Sequence, residues 1–507
     1  MIRVAGKSWK YGEVVRVMEA RTARWISLFT FRTEKGIIEC DRKESLGLEV
    51  KALQGLYKGI ALDTKDRKRI MAIALPAMVE LIFTQLLAMV DTIMLGQSKN
   101  SAVAIAAVGL TGNPMNLVVG VLSAMNIGTS AAVAWSIGAK KRADACSVAR
   151  TAITMNLLLG TLSSAVLFAL AGTVVRFMGA QPDTYELARE YLQIVAMGLL
   201  PMCICFGVTS ALRGAGMTRL PMFYNLAGNV LNVIGNYALI YGRLGMPELG
   251  VAGAGISTTV SRYVTCLLAL GTLFYVKSPI RMSVRGDYRL HRENLRRITG
   301  VGVTSALEQL IMQIGFIFFT RTVSGLGTTI FAAHQIGLSV NGLTWMPPQA
   351  YGVAATTLVG QSIGAGDRGK ARSYVRAIHR CSMATAALMC VFLLACSHWI
   401  ALAYTNDAAV AKLAGSVVKL IALGLPGIYT QLPVAAALRG AGDARFPLIA
   451  SALGIWIFRV AVAPVFVYTF GWGLYGAWIT IVLDQTVRAL VVYGRFLTGK
   501  WMYMKTA

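Results

Sequence analysis

Long apolar blocks alternate with short polar and basic connections from about residue 70 onward. Strands of a membrane barrel would be about 10 residues long with alternating polarity, whereas these blocks are apolar around the whole helix and roughly 20 or more residues long. That is the length an α-helix needs to cross about 30 Å of hydrocarbon. The pattern predicts an all-α integral membrane protein with twelve spans, near 70–95, 105–133, 150–172, 188–210, 219–242, 250–276, 296–320, 330–358, 375–397, 410–436, 446–470 and 474–497.

Lys and Arg gather before the first span and then in every second connection. Examples are DTKDRKR (63–69), KKR (140–142) and RGDYRLHRENLRR (285–297). Because basic loops stay on the cytoplasmic side, we expect a multi-pass protein of the cell membrane with both termini in the cytoplasm. Basic loops beside anionic lipid also account for the net charge of +26, so we expect membrane lipids as partners and no nucleic acid.

The first 65 residues contain no spanning block and lack the layout of a signal peptide. We interpret residues 1–65 as a basic cytoplasmic extension. Three interpretations stay open for it: a small amphipathic appendage, a disordered tail, or a start codon assigned too early.

Composition separates the chain from soluble proteins and from enzymes. Hydrophobic residues make up 56% and charged residues 14%, against roughly 45–50% and 25% in soluble domains. The eight cysteines and four histidines lack the spacing of a disulfide framework or a zinc site. A membrane-embedded enzyme would need a nucleophile with its base, or a cluster of metal ligands, inside the spans. We see no such motif in the sequence, and expect no enzymatic activity and no cofactor.

The sequence repeats itself at a fixed interval. ALRGAGMTRLPM (211–222) returns 226 positions later as ALRGAGDARFPL (437–448), and SIGA (136–139) returns at the same interval (362–365). Ordered matches indicate duplication of a six-helix unit. An even number of spans keeps both copies in the same orientation, so the prediction is two parallel six-helix repeats around a central cleft. The predicted segments are a first bundle, a cytoplasmic linker, a second bundle and a cytoplasmic tail, at 66–276, 277–296, 297–500 and 501–507.

Each ALRGAG ends a span at the predicted cytoplasmic face. The glycines permit a tight turn, and Arg213 and Arg439 are expected to meet lipid phosphate there. We therefore interpret the repeated motif as structural.

Acidic residues inside the spans are the first candidates for function. Glu80 and Asp91 lie eleven residues apart, about three turns, and so share one stripe of the first helix. A carboxylate that faces lipid costs a few kcal/mol at least, so the stripe is expected to face the bundle interior or a wet cavity. Glu308 and Gln313 of the seventh span match Glu80 and Gln85 at an offset of 228. We interpret these four as cleft or substrate-binding candidates, with cation coordination and packing across the pseudo-two-fold axis both open.

Amides form a second stripe, in the fifth span. Asn225, Asn229, Asn232 and Asn236 follow one another at i, i+4, i+7 and i+11, on one helix face. Spacing alone leaves cavity lining and helix-to-helix hydrogen bonding equally open.

Two further features stand out in the later spans. Asp484 and its neighbour four residues on, Arg488, are expected to pair structurally. GLTGNPMNLVVG (109–120) and NGLTWMPPQAYG (341–352) are expected to break the second and eighth spans. Broken helices at matching places in two repeats point to a site at the membrane midplane.

Together these motifs resemble the multidrug and toxic compound extrusion (MATE) family of the bacterial type, in which the DinF-like branch is one option. The resemblance rests on LPAMVELIFTQLLAMVDTIMLG (75–96), the SIGA turns, ALRGAG with its following Pro, NVLNVIGNYALI (229–240) and GVAGAGIST (250–258). It covers about residues 66–500. It implies a monomeric antiporter that exports organic cations or amphipathic drugs in exchange for H⁺ or Na⁺ by alternating access.

The family's coupling residues can be carried over by position. The acid of the family's first helix, in its VDT context, matches Asp91, and the N-x-x-x-D of the fifth helix falls on Asn232 and Asn236. The threonine of the sixth helix falls on Thr258. The resemblance therefore implies cation coupling, with Na⁺ as one candidate ion, at these four residues. The second acid of the family is replaced here by the amide of Asn236. Glu308 lies about one turn before the acid that part of the family uses in the seventh helix.

One other function fits the architecture. A flippase of lipid-linked oligosaccharide precursors would favour a basic cleft for diphosphate. The polar residues singled out in the spans are mostly acids and amides, which favours cationic cargo. A simple channel is disfavoured because the duplicated halves carry no filter-like motif.

Overall fold

The computed structural model of the chain describes residues 2–4, 7–9, 64–97, 101–276, 278–282, 286–405 and 407–504. They belong to two units, Met1–Leu62 and Asp63–Ala507. In the first unit, β1 (Ile2–Val4) pairs antiparallel with β2 (Lys7–Trp9). The all-α prediction did not include this hairpin, because alternation over three residues is too short to distinguish a strand. Of the rest of the N-terminal extension, only residues 64 and 65 are described, at the start of the first helix of the second unit.

The second unit is helical. Its first seven helices are α1 (Thr64–Gly96), α2 (Ser101–Gly138), α3 (Arg142–Phe177), α4 (Pro182–Met197), α5 (Leu199–Gly214), α6 (Arg219–Ile240) and α7 (Gly250–Tyr275). The next seven are α8 (Arg292–Ser324), α9 (Thr328–Thr344), α10 (Met346–Gly364), α11 (Arg368–Tyr404), α12 (Ala408–Gly440), α13 (Arg445–Gly454) and α14 (Gly473–Thr498). After α13 the chain continues in π-helical turns (Ile455–Val462 and Val465–Thr469), and a 3-10 turn (Lys500–Tyr503) follows α14.

Helices occupy all twelve of the predicted spans, although some spans consist of two pieces. The fourth is α4 with α5, which meet at Gly198 with a bend of 40°. Among the described residues, eight helices are long and apolar enough to cross a membrane, or nine if this bent pair is one span. The other three predicted spans are the asparagine-rich α6, the interrupted pair α9 and α10, and the charged α14. The polar residues of α6 and α14 lower their mean hydropathy. The interruption between α9 and α10 leaves each of these two helices with a short apolar stretch.

The structure corrects the prediction of matched helix breaks. The eighth span is interrupted at Trp345, between α9 and α10, within the predicted segment. Pro114, however, lies inside the continuous helix α2. A proline is tolerated within a membrane helix where neighbouring groups satisfy the freed backbone. The two halves therefore do not share the break.

The two sets of seven helices pack against each other mainly through α2, which contacts α8 and α10, and through α1, which contacts α10. At the crossing of α2 with α8, a Cβ atom on Gly128 would collide with the carbonyl oxygen of Ile298, and one on Gly302 with that of Met125. Two backbones can approach this closely only where a side chain is missing. Glycine at these positions is thus a requirement of the contact between the halves.

Hydrogen bonds reinforce this contact at the end of the molecule that carries the SIGA and ALRGAG turns. Nε1 of Trp135 donates to the carbonyl oxygen of Gly440 at 2.7 Å. Oγ1 of Thr357 donates to the carbonyl oxygen of Arg213 at 2.8 Å, and Nε2 of Gln361 donates to that of Gly214 at 3.1 Å. The halves are therefore joined at this end.

Candidate functional site

Helices α1, α6 and α7 bring the four residues of the predicted coupling site together. Nδ2 of Asn236 on α6 donates to Oδ1 of Asp91 on α1 at 2.7 Å. Asn236 is 1% exposed, and its Oδ1 is buried without a hydrogen-bond partner among the described groups. The Asp91 side chain is half-buried and lies beside an amide that can present either its N–H or its oxygen.

Asn232 links the other side of the same carboxylate to α7. With its amide nitrogen toward Asp91, Asn232 donates to both carboxylate oxygens at 3.1 Å, and its amide oxygen accepts from Oγ1 of Thr258 at 3.2 Å. The opposite orientation would place the amide oxygen against the carboxylate, so the hydrogen bonds select this one. Asp91, Asn232, Asn236 and Thr258 therefore form a single hydrogen-bonded cluster.

The hydrogen bond from Asn236 to Asp91 is the last of three side-chain hydrogen bonds between α1 and α6. Nδ2 of Asn225 donates to Oε1 of Glu80 at 2.6 Å, and Nδ2 of Asn229 donates to Oγ1 of Thr84 at 3.3 Å. Each of the three bonds joins residues that are 145 positions apart in the sequence, so the two helices run parallel and in register. The asparagine stripe thus holds α1 against α6 and also supplies the amides of the Asp91 cluster.

Glu80 lies in an ion pair. Nη2 of Arg213 is 2.9 Å from Oε1 of Glu80, whose side chain is 7% exposed. The second half repeats the arrangement, because Nη2 of Arg439 lies 3.1 Å from Oε1 of Glu308 and the hydroxyl of Ser451 donates to that oxygen at 2.7 Å. From the sequence we expected both arginines to contact lipid phosphate. They are instead turned inward, because a buried carboxylate needs a compensating charge.

Gln85 and Gln313, the other two cleft candidates, are half-buried and belong to neither ion pair. The structure therefore does not unite the four cleft candidates. Each glutamate is held within its own half by an arginine, while each glutamine lies more than one turn further along its helix.

The second half contains a buried charge cluster, of which the sequence predicted only two of the three members. Oδ2 of Asp484 accepts from Nη2 of Arg488 at 2.7 Å, as the spacing predicted, and also from Nε of Arg459 at 2.7 Å. All three side chains are at most 5% exposed. Arg459 lies in the π-helical segment after α13, inside the predicted eleventh span. An isolated arginine inside an apolar span was the available signal.

The Asp91 cluster offers one carboxylate, two amides and one hydroxyl. Hard cations take such oxygen ligands, and a single negative charge suits a monovalent ion or a proton better than a divalent metal. Among the described residues, no three His, Cys, Asp or Glu side chains gather as a metal site. The chemistry available to the cluster is thus reversible neutralisation of one carboxylate.

Comparisons with known proteins agree with the fold. The sequence signature of the MatE family matches residues 76–238 and 305–465, in both halves and over more than half of the chain. A probable multidrug resistance protein NorM of Thermotoga maritima is 31% identical over 443 residues, which cover 86% of this chain and 93% of the relative. Multidrug resistance protein PmpM of Pseudomonas aeruginosa is 29% identical over 396 residues, 77% of this chain and 82% of the relative.

Solved structures are similar over the same region. The outward-facing conformation of a multidrug resistance MATE family transporter of the MOP superfamily superimposes with a TM-score of 0.79 at 25% identity, covering 86% of this chain and 97% of that one. A crystal structure of MATE in complex with MaD3S has a TM-score of 0.80 at 24% identity, with the same coverage. The chain therefore belongs to the MatE family and has its fold of twelve transmembrane helices in two repeats.

Proposed function

We propose that the protein is a secondary active multidrug exporter. It expels organic cations or amphipathic drugs from the cell in exchange for H⁺ or Na⁺, as a monomer in the cell membrane with both termini in the cytoplasm. Support for export comes from relatives that are named multidrug resistance proteins. Support for ion coupling comes from the hydrogen-bonded cluster of Asp91 with Asn232, Asn236 and Thr258.

In the proposed mechanism, Asp91 alternates between a charged and a neutralised state. In the charged state both amides donate to the carboxylate. A proton would remove the acceptor charge, whereas Na⁺ would require the amides to turn and present their oxygens, together with Oγ1 of Thr258. Either event changes the hydrogen bonds that tie α1 to α6 and α7, and so couples the ion to the packing of three helices.

The contact between the halves supplies the second element of alternating access. Trp135, Thr357 and Gln361 join the halves at the end predicted to be cytoplasmic. In that orientation the described arrangement is closed to the cytoplasm, and loading of cargo requires these bonds to open. Glu80–Arg213 joins α1 to α5 and Glu308–Arg439 joins α8 to α12, so each pair lies within one half and does not cross the contact that has to open.

The test is ethidium efflux from a bacterial host that lacks its own drug pumps, with wild type, Asp91→Asn and the matched amide variant Glu308→Gln at equal membrane abundance. A proton gradient alone and a sodium gradient alone are applied in turn. We expect wild type to export the dye under one of them, Glu308→Gln to keep its ion dependence, and Asp91→Asn to lose export. Wild type that moves no dye under either gradient would refute cation export and favour the lipid-flippase alternative.

A further inference from the structure

A cavity of about 310 Å³ lies in the second half, between α8, α9 and the π-helical segment. Its walls include the aromatic rings of Phe316, Phe319 and Trp345, the imidazole of His334 and the guanidinium of Arg459. The cavity belongs to neither the Asp91 cluster nor the glutamate ion pairs. Its volume suits a small aromatic molecule or one ring system of a larger drug.

Three of the residues that line this cavity carry buried polar atoms without hydrogen-bond partners among the described groups. Among the described groups, Nη2 of Arg459, Nε1 of Trp345 and both ring nitrogens of His334 are buried and have no hydrogen-bond partner. His334 is fully buried and Arg459 is 4% exposed. A buried donor without an acceptor costs about 1–3 kcal/mol, and more when the donor is charged. The guanidinium, the indole and one nitrogen of the neutral imidazole are donors, so an occupant that brings acceptors would relieve part of this cost.

The charge of the surrounding residues indicates which charge a bound molecule should carry. Asp484 accepts from both Arg459 and Arg488, so two buried guanidinium groups share one carboxylate and the cluster carries a net charge of +1. Nε and Nη1 of Arg488 are also buried without a partner among the described groups. An uncompensated buried positive charge is costly, and an anion at the cavity would neutralise it.

The corresponding region of the first half has the opposite polarity. The offset of 228 that relates Glu80 to Glu308 brings Asp91 onto Phe319 of the cavity wall. The acid and amides of one half are thus matched by an aromatic ring and a buried arginine in the other. The guanidinium carbon of Arg459 lies 5.0 Å from the ring centre of Phe316 and 5.8 Å from that of Phe319, which fixes its position over the aromatic wall.

We propose that this cavity binds the carboxylate end of a planar aromatic compound, with Arg459 and the indole N–H of Trp345 as its hydrogen-bond donors and the phenylalanines against its ring. Drugs that carry both an amine and a carboxylate would then engage the two halves with opposite charges. That such a compound is exported rests on the function proposed above, whereas its binding does not.

The test is equilibrium binding of 2-naphthoate to the purified full-length protein by calorimetry, with 2-naphthalenemethanol as the neutral probe of the same ring. Wild type is expected to bind the carboxylate at least about tenfold more tightly than the alcohol, because charge-assisted hydrogen bonds are the stronger ones. Arg459→Gln should remove that preference, and Trp345→Phe should weaken naphthoate binding several-fold. Arg321→Gln is the matched control, because Arg321 lies exposed on α8 and outside this cavity.

Equal affinity of wild type for the two probes, or no binding of naphthoate, would overturn the proposal. Unchanged naphthoate binding in both Arg459→Gln and Trp345→Phe would do the same. Thermal unfolding shows whether Arg459→Gln is folded. If it is not, naphthoate binding by Trp345→Phe alone tests the proposal, and unchanged binding there overturns it. No ion gradient enters the experiment, so its outcome is separate from that of the efflux test on Asp91.

Discussion

The side-chain amide of Asn236 donates to the carboxylate of Asp91 across a distance of 2.7 Å. The resemblance to the family implies a second acid at the position of Asn236. The substitution leaves the site with one carboxylate. The amide N–H stabilises the ionised form of Asp91, a task that a second carboxylate cannot perform without binding a proton or a cation. In the mechanism proposed above, this site exchanges one positive charge.

Restoring the acid tests this arrangement. In Asn236→Asp two carboxylates lie within hydrogen-bonding distance, and their repulsion is relieved by a cation between them. We expect Na⁺ to stabilise the purified variant at about a tenfold lower concentration than wild type, measured as thermal unfolding in NaCl against choline chloride. Asn229→Asp is the control, because Asn229 lies on the same helix face but contacts Thr84. The same sodium dependence in Asn236→Asp and wild type would show that a second carboxylate at this position does not help to bind Na⁺.

The ion pair of Glu80 with Arg213 is predicted to serve stability. Glu80→Gln leaves the guanidinium of Arg213, which is 21% exposed, without its counter-charge. Breaking a fully buried pair typically costs about 3 kcal/mol or more, and we expect a smaller loss here because the guanidinium is partly exposed. The paired change Glu80→Gln with Arg213→Gln should regain part of that loss, because it removes both charges. Thermal unfolding in detergent measures both variants. A double variant less stable than Glu80→Gln alone would show that the pair is not the relevant interaction.

The contact between the halves gives a conformational prediction. Gly302→Leu introduces a side chain where even a Cβ would collide with the carbonyl oxygen of Met125, so the halves must separate at that end. Spin labels at Lys141 and Gly369, both exposed near the SIGA turns, should report a longer distance in the variant, in a cysteine-free background. Gly300→Leu, on the same helix with open space around its Cβ, is the control. An unchanged distance in Gly302→Leu would exclude this glycine as a closure contact.

Helical spacing singled out Asp91, Asn232 and Asn236, and the resemblance to the family added Thr258, but their surroundings were predicted only in part. Helical spacing placed Asn225, Asn229 and Asn236 on one face, and the structure shows that face against α1. Spacing could not show where Arg213 points, because a helix-end arginine at lipid phosphate and one in a buried ion pair occupy the same sequence position. Arg459 was missed for a related reason. Its partner Asp484 lies on another helix, and no interval along the chain connects them.

Transport by the purified protein in liposomes tests most directly whether Asp91 couples an ion to drug export. Ethidium movement is followed with and without an imposed gradient of H⁺ or of Na⁺, for wild type, Asp91→Asn and Glu308→Gln, at equal amounts of folded protein. We expect a gradient to accelerate export by wild type and Glu308→Gln and to leave Asp91→Asn at its rate without a gradient. Acceleration of Asp91→Asn equal to that of wild type would contradict this expectation.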